Sequence, residues 1–361
     1  MDSEAEELLR KMTQAHGVPG HEDEVRDLFR DELAGAGEFR CDRTGSILCG
    51  AGGVGPAVLV AAHMDEVGFR VQAITSGGFL KLVAVGGWWT HTLLSQRVVV
   101  KTRAGEKITG VVSSKPPHFL SEGERKQVMP LDRMFVDIGA SSREEVTAWG
   151  VQLGDPVAPG GEFEVLKGGV RFLAKAFDNR AGMAATVLAG KRLLQGARPN
   201  ALLLGATVQE EVGLRGIQTM ASLAQPEVAV LLEGTPADDT PGFDQDTAQA
   251  KLGAGVQIRL HDPSAIMNPK LASLAIKAAE EKGIAHQVSV RTSGGTDAGR
   301  LHLAGEGVPC IVLGVPARYI HSHGSVIEAS DFNAAVDLTE ALVRALDAET
   351  VRGLTDYLGE G

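Results

Sequence analysis

The chain has 361 residues, of which 43% are apolar and 22% are charged, so it is long enough to bury a core of its own. Its net charge of -11 argues against nucleic acid as a partner and against electrostatic attachment to a membrane. The three cysteines include no Cys-x-x-Cys pair, which argues against a disulfide framework and favours a reducing compartment.

The N-terminus and the apolar runs bear on location. Residues 1–7 are acidic where a signal peptide is basic, and no apolar run approaches the ~20 residues that span a bilayer. We therefore expect a cytoplasmic protein with no targeting segment and no transmembrane helix. The length also predicts a division into two domains.

The first elements in chain order are two helices and a buried strand. Helical patterns cover residues 5–15 and 22–34, separated by a Gly-Val-Pro-Gly loop at 17–20. Residues 56–62 form a short, continuous apolar run, typical of a strand buried on both faces of a largely parallel sheet. His63 and Asp65 follow at its carboxyl end.

The pattern changes between about residues 68 and 160. Strand-like segments at 96–102 and 107–112 flank a turn at Gly105, with little helical periodicity, which predicts a small β-rich insert. Beyond it, apolar strands at 201–208, 228–232 and 308–313 alternate with helices. We therefore predict an α/β fold with a mixed, mostly parallel sheet flanked by helices, interrupted by the insert.

Two later helices have clear boundaries. Asn268 is predicted to cap the first, with Pro269 at its first position and Gly283 just beyond its end. The last helix is expected to begin near Ser330 and to pack inward through apolar residues at helical spacing.

Polar residues of metal-binding types follow the apolar strands, where open α/β sheets place their active sites. Taken singly, each has an ordinary explanation, such as a helix cap, a solvated loop or a surface histidine. Their recurrence at strand after strand favours a metal site. The candidates are His63, Asp65, Asp178, Glu210, Glu211, Glu233 and His321.

Two histidines with several carboxylates and no cysteine suit zinc, cobalt or manganese in a two-metal site. Cations roughly 3.5–4 Å apart need a bridging anion, and Asp178, which opens a helix, suits that role. Each metal then needs a histidine and a carboxylate of its own. This requirement pairs His63 with Glu233 and His321 with Glu211.

Two carboxylates remain after this division. Asp65 is placed to accept the second ring N–H of His63 and so to orient it. Glu210 suits a general base acting on water at the metals. His323 is an alternative ligand to His321, although its position in the motif favours His321.

Separated motifs carry a resemblance over nearly the whole chain. They include residues 62–68 (Ala-His-Met-Asp-Glu-Val-Gly), 86–88 (Gly-Gly-Trp), 177–180 (Phe-Asp-Asn-Arg), 209–213 (Gln-Glu-Glu-Val-Gly), 294–298 (Gly-Gly-Thr-Asp-Ala) and 319–322 (Tyr-Ile-His-Ser). Together they resemble the tetrahedral (TET-type) dinuclear metallo-aminopeptidases, also called glutamyl aminopeptidases or cellulase-M-like proteins.

The resemblance implies a zinc-peptidase-like catalytic domain, residues 1–67 and 161–361, interrupted by a β-rich dimerisation domain, residues 68–160. It also implies a hollow, tetrahedral homododecamer built from dimers, and the same ligand and base roles as above. The ligand at Glu233 is often Asp in that family, so its coordination geometry stays open.

The resulting hypothesis is a metal-dependent aminopeptidase that removes N-terminal residues from short peptides. A water bridging two divalent metals, zinc foremost, would be activated by Glu210 as general base. The alternatives are an amidohydrolase of N-acyl amino acids, a glycoside hydrolase and a purely structural metal site. His63 and His321 argue against a glycoside hydrolase, which needs two acids and usually no metal. The spare carboxylate of Glu210 argues against a structural site.

Overall fold

A computed structural model describes residues 1–359 of the chain. Within that range eighteen strands follow one another: β1 (Glu38–Cys41), β2 (Ile47–Gly50), β3 (Ala57–His63), β4 (Gly68–Ile74), β5 (Leu80–Val85), β6 (Arg97–Lys101), β7 (Lys107–Ser113), β8 (Phe135–Asp137), β9 (Pro156–Pro159), β10 (Glu164–Val165), β11 (Arg171–Ala174), β12 (Ala201–Thr207), β13 (Val228–Pro236), β14 (Val256–Asp262), β15 (Ala265–Ile266), β16 (His286–Val290), β17 (Cys310–Arg318) and β18 (Ser325–Glu328).

Ten α-helices lie in the same range, and all are too short or too polar to cross a lipid bilayer. They are α1 (Ser3–Gln14), α2 (Asp23–Glu32), α3 (Glu122–Arg125), α4 (Arg143–Ala148), α5 (Phe177–Leu193), α6 (Arg215–Ala224), α7 (Pro269–Lys282), α8 (Ala298–Leu301), α9 (Ala329–Ala345) and α10 (Ala348–Leu354).

Twelve strands form one large mixed sheet, in the order β1-β2-β12-β3-β13-β17-β18-β11-β10, with β14 to β16 joined beside β17. The four central strands, β12, β3, β13 and β17, run parallel to one another. The strands on either side of them pair antiparallel, except that β14 and β16 run parallel to each other. The parallel character expected for most of the sheet is therefore concentrated in its centre, where the apolar run before His63 is buried as β3.

Helices flank this sheet in two groups. Helices α1, α5, α7 and α9 pack on one another, with α5 and α9 against the central strands, whereas α6 contacts α8, β2 and β12. The sheet and these helices share one continuous hydrophobic core. Its burial provides the main stabilisation of this part of the molecule.

The insert folds as a closed barrel, with strand order β4-β5-β8-β7-β6-β9. All of its pairings are antiparallel, as the hairpin pattern at 96–112 predicts. The barrel has a core of its own that includes Phe69, Leu80, Val98 and Val136. A separate core is what a second folding unit requires.

The predicted helix punctuation is confirmed. The Asn268 side chain accepts the Leu271 N–H at 2.9 Å, Pro269 occupies the first turn, and Gly283 ends α7 with a φ of 63°. The last long helix, α9, begins one residue before Ser330 and buries its apolar face in the core.

Candidate metal centre

The candidate ligands lie at or near the carboxyl ends of the four parallel strands in the centre of the sheet. His63 ends β3 and is paired in register with Thr207, which ends β12. Glu233 lies on the next strand, β13. Because parallel strands bring their carboxyl ends together, the residues that follow them converge. The other candidates join the same edge from the connections after β11, β12 and β17: Asp178, Glu210, Glu211 and His321.

The first cluster is centred on His63, which is 1% exposed. Its Nε2 lies 3.0 Å from Glu233 Oε1 and 3.2 Å from Asp178 Oδ1. The apolar run had predicted a strand that stops at Glu233, but β13 continues to Pro236 because it stays paired with β17. Glu233 is therefore held inside a strand, buried and rigid.

The second cluster is centred on His321, whose Nε2 lies 3.3 Å from both Asp178 Oδ2 and Glu211 Oε2. Asp178 thus presents one carboxylate oxygen to each histidine. His321 sits in a tight turn in which both it and Tyr319 have left-handed φ values, 55° and 61°. The Ser322 hydroxyl stabilises that turn by donating to the Tyr319 carbonyl at 2.6 Å.

The start of α5 positions Asp178 through its neighbour. Asp178 and Asn179 have non-helical backbone angles, so the helix proper begins after them. The side-chain Nδ2 of Asn179 donates to the Leu232 carbonyl at 2.8 Å, and its Oδ1 accepts the Gly182 N–H at 3.0 Å. These two bonds tie the beginning of α5 to β13 next to Glu233.

Asp65 acts differently from the sequence expectation. The closest acceptor to His63 Nδ1 is the backbone carbonyl of Asp65, at 3.0 Å, whereas the Asp65 carboxylate lies at 3.5 Å. That carboxylate instead accepts the backbone N–H groups of Glu210 and Glu211 at 2.9 and 3.0 Å. Asp65 therefore both orients the His63 ring and fixes the backbone that bears two site glutamates.

Glu210 is buried beside the first cluster, but its carboxylate lies farther from His63 than the other two carboxylates do. Its Oε2 lies 3.9 Å from His63 Nε2, farther than the oxygens of Asp178 and Glu233. His63, Glu210 and Glu211 can also present ligand atoms within 4.8 Å of one another, so the distance alone permits a ligand role. The spacing is equally that of a base that reaches a water held at the centre.

Charge crowding shifts the pKa values throughout the cluster. Burial and the nearby Asp178 carboxylate raise the pKa of Glu211 to about 7, and burial raises that of Glu233 to about 7 against the opposing effect of His63. Burial and the neighbouring glutamates raise the pKa of Glu210 well above its ordinary range. Burial would lower the pKa of His321, but Asp178 and Glu211 raise it to about 11.

The residues fit two divalent cations. No Lys or Arg within residues 1–359 forms an ion pair with Asp178, Glu210, Glu211 or Glu233. One buried oxygen of Glu211 has no hydrogen-bond partner in that range. Buried carboxylates are costly unless their charge is offset, and the two histidines can offset at most two of the four, so the cluster is suited to binding cations. A His/carboxylate set without sulfur is suited to zinc, cobalt and manganese.

A cavity of about 390 Å³ opens onto these ligands. Among its lining residues, Gly87 and Arg259 were not predicted from the sequence to belong to the site. Gly87, from the insert, stands so close that an added Cβ would lie 3.4 Å from His321 Nδ1. Arg259, on β14, is 3% exposed, and its Nε has no partner within the described chain. A charged residue between Ile258 and Leu260 in a buried strand was the signal that could have revealed it.

His323, the alternative ligand, does not reach the cluster. Its ring lies against Trp88 of the insert, with centroids 5.5 Å apart. Trp88 in turn stacks on Phe69 at 4.8 Å, which places it in the core of the barrel. Asp297 is also buried nearby, where it accepts a hydrogen bond from Thr207 Oγ1 at 2.6 Å.

Comparison with known proteins identifies the family. Residues 45–338 match the M42 glutamyl aminopeptidase family. The chain belongs to the M42 glutamyl aminopeptidase family. Glutamyl aminopeptidase of Lactococcus lactis is 34% identical over 97% of this chain and 98% of its own length. Lysyl aminopeptidase of Pyrococcus furiosus is 34% identical over 94% and 97%, respectively.

Solved structures agree with this assignment. A TET aminopeptidase from a marine-sediment thaumarchaeon superposes with a TM-score of 0.94 at 40% identity, covering 98% of this chain and 99% of its own. The Pyrococcus horikoshii TET1 peptidase, described as able to assemble into a tetrahedron or a large octahedral shell, has a TM-score of 0.85 at 32% identity over 95% and 100%. This M42 protein is therefore a metal-dependent aminopeptidase, and the comparisons favour that activity over the two alternative hydrolases.

Proposed function

We propose that this aminopeptidase holds two divalent cations, one through His63 and Glu233 and the other through His321 and Glu211. Asp178 bridges them. The observation that carries this proposal is the Asp178 carboxylate, whose two oxygens lie 3.2 and 3.3 Å from the two imidazoles. Zinc is the first candidate, with cobalt or manganese as substitutes.

The cations, when bound, supply Lewis-acid polarisation of the scissile carbonyl and lower the pKa of water. Glu210 takes the proton of the attacking water and passes it to the leaving amine. The Glu210 carboxyl has to hold the proton between the two steps, and its buried position beside the cluster shields it from bulk water. Asp65 keeps Glu210 in place through the hydrogen bond to its backbone N–H.

We further propose that the substrate's N-terminal residue is acidic. Among residues 1–359, Arg259 is the one Lys or Arg side chain that lines the cavity beside the ligands. Its contacts to Asp262 and Gln257 are long, at 3.4 and 3.5 Å, so the guanidinium retains donors for a carboxylate. The name of the Lactococcus lactis relative, glutamyl aminopeptidase, agrees with this preference, whereas that of the Pyrococcus furiosus relative, lysyl aminopeptidase, does not.

We extend the proposal to assembly and location. Residues 68–160 form a dimerisation domain inserted into a catalytic domain of residues 1–67 and 161–361, and dimers assemble into a tetrahedral dodecamer. Exposed Trp89 and Phe119 on the insert, 66% and 69% accessible, supply apolar contact area. A cytoplasmic location suits the three free cysteines.

The deciding experiment is a substrate and metal panel. Chelator-stripped protein is given zinc, cobalt or manganese and tested on aminoacyl p-nitroanilides and short peptides, with N-acetylated controls. Metal-dependent release from free N-termini only, fastest for Glu and Asp, with two metals per subunit, is the expected result. Hydrolysis of the acetylated substrates alone would replace the proposal with an N-acyl amidohydrolase, and a single metal per subunit would remove the bridging role of Asp178.

A further inference from the structure

Three charged side chains beneath the metal centre form a buried cluster that the reaction does not use directly. We call Glu66, Lys175 and Arg180 the Glu66 network; their exposures are 1%, 4% and 0%. Lys175 Nζ donates to both oxygens of Glu66, at 2.6 and 2.7 Å, and Arg180 Nη2 lies 3.3 Å from Oε1. Buried charges are retained at a cost, so a cluster with complete pairing calls for an explanation.

Arg180 also fastens the N-terminal segment, residues 12–17, to the sheet. Its guanidinium donates to the carbonyls of Met12 at 2.6 Å, Ala15 at 3.0 Å and Gly17 at 3.4 Å, and Nε donates to that of Met64 at 2.9 Å. An added Cβ on Gly17 would lie 2.5 Å from Nη2, so the segment closes tightly over the guanidinium. Lys175 adds a bond to the Ala15 carbonyl at 3.2 Å.

The network connects two of the chain segments that bring ligands to the centre from different parts of the sequence. Glu66 and Met64 belong to the connection after β3, which follows His63 directly and contains Asp65, whereas Lys175 and Arg180 flank Asp178. Glu66, Lys175 and Arg180 are not themselves among the proposed metal ligands. The relative placement of the two segments nevertheless sets the distance between His63 and the bridging carboxylate, and ligand orientation of this kind governs metal affinity.

We propose that Glu66, Lys175 and Arg180 are positioning residues of the metal centre, which makes residues 12–17 part of its support although they supply no ligand. The proposal rests on the bridging role given to Asp178 above. A shift in either segment would weaken binding of the cation assigned to His63 and Glu233 before it altered the overall fold.

The variant that tests this is Lys175→Gln. Glu66 keeps its contact with Arg180 and can accept one hydrogen bond from the new amide, so the fold has a route to survive. We expect zinc affinity, measured by chelator competition, to fall about 10- to 100-fold, and the visible spectrum of the cobalt-loaded protein to change. The matched control is Lys191→Gln in α5, the helix that follows Lys175, because Lys191 pairs with Glu4 and Glu32 away from the site; its metal affinity should equal that of the wild type.

A second measurement uses the unaltered protein and does not depend on the folding of a variant. Metal removal should accelerate hydrogen exchange in residues 12–17 but not in α7, which lies outside the network. If Lys175→Gln binds zinc as tightly as the wild type and loses the same Tm with and without metal, the Glu66 network only stabilises the fold and the proposal is wrong. Equal exchange of residues 12–17 with and without metal would also overturn the proposal. Asp178→Asn, titrated alongside, tests the ligand roles separately, since retention of both metals there contradicts those roles whatever Lys175→Gln does.

Discussion

Replacing Arg259 by Gln should remove the preference for acidic N-terminal residues without unfolding the protein. The partner left behind, Asp262, stays satisfied because its Oδ1 accepts the Ser264 N–H, the Ser264 hydroxyl and the Ala265 N–H at 2.8, 2.6 and 3.1 Å. Its Oδ2 accepts the Thr296 hydroxyl at 3.1 Å. The buried carboxylate therefore loses its ion pair but keeps four hydrogen bonds, which limits the destabilisation that the loss of a buried partner causes.

The size of the effect follows from the bond that is lost. A hydrogen bond to a charged group contributes about 1.5–3 kcal/mol, and about 1.4 kcal/mol corresponds to a tenfold change. We therefore expect kcat/KM for α-glutamyl p-nitroanilide to fall about 10- to 150-fold, while that for leucyl p-nitroanilide changes little.

The assay is the ratio of kcat/KM for these two substrates, measured in the metal-loaded enzyme. Arg291→Gln is the control, because Arg291 also forms an ion pair, a shorter one with Asp238 at 2.6 Å, but does not line the cavity. It should leave the ratio unchanged. If Arg259→Gln lowers activity on both substrates equally, Arg259 supports the site without reading the substrate, and the acidic preference is wrong.

Three further outcomes follow from the metal centre. Glu210→Gln should lower kcat about 10²- to 10⁴-fold while metal analysis still finds two ions; near-normal turnover would contradict its role as base. His321→Ala should leave one tightly bound metal per subunit, and two would show that His321 is dispensable. Because the folded pKa values of Glu211 and Glu233, about 7, exceed their ordinary value of 4.5, protons compete with cations. Metal affinity should therefore weaken from pH 8 to pH 6, and the stripped protein should lose stability as pH rises through about 7; a flat affinity profile would contradict this.

The sequence predicts the location of the site well because the governing rule is local. An apolar run followed at once by His63, or by Glu210 and Glu211, places those residues at the end of a buried strand. The parallel arrangement of the central strands then brings them together. The β-rich character of the insert was equally predictable, since hairpin patterns between 96 and 112 depend on neighbouring residues; that its strands close into a barrel was not.

Other features depend on partners that are distant in sequence. The strand containing Glu233 extends to Pro236 only because β17 lies beside it, so the end of its apolar run was misleading. The Asp65 carboxylate turns toward the backbone of 210–211, and a two-residue spacing from His63 does not specify that choice. Arg259 joined the site because β14 pairs with β17, a connection that local periodicity does not reveal.

The two histidines of the centre stand near opposite ends of the chain, with the whole barrel between the first of them and every other ligand. During synthesis His63 is made early, and both clusters can form only after His321 has been made as well. Contacts of such long range form late in folding. A nascent or prematurely terminated chain can therefore present only a fragment of the centre. Peptidase activity therefore requires a polypeptide in which the whole stretch from residue 63 to residue 321 is present.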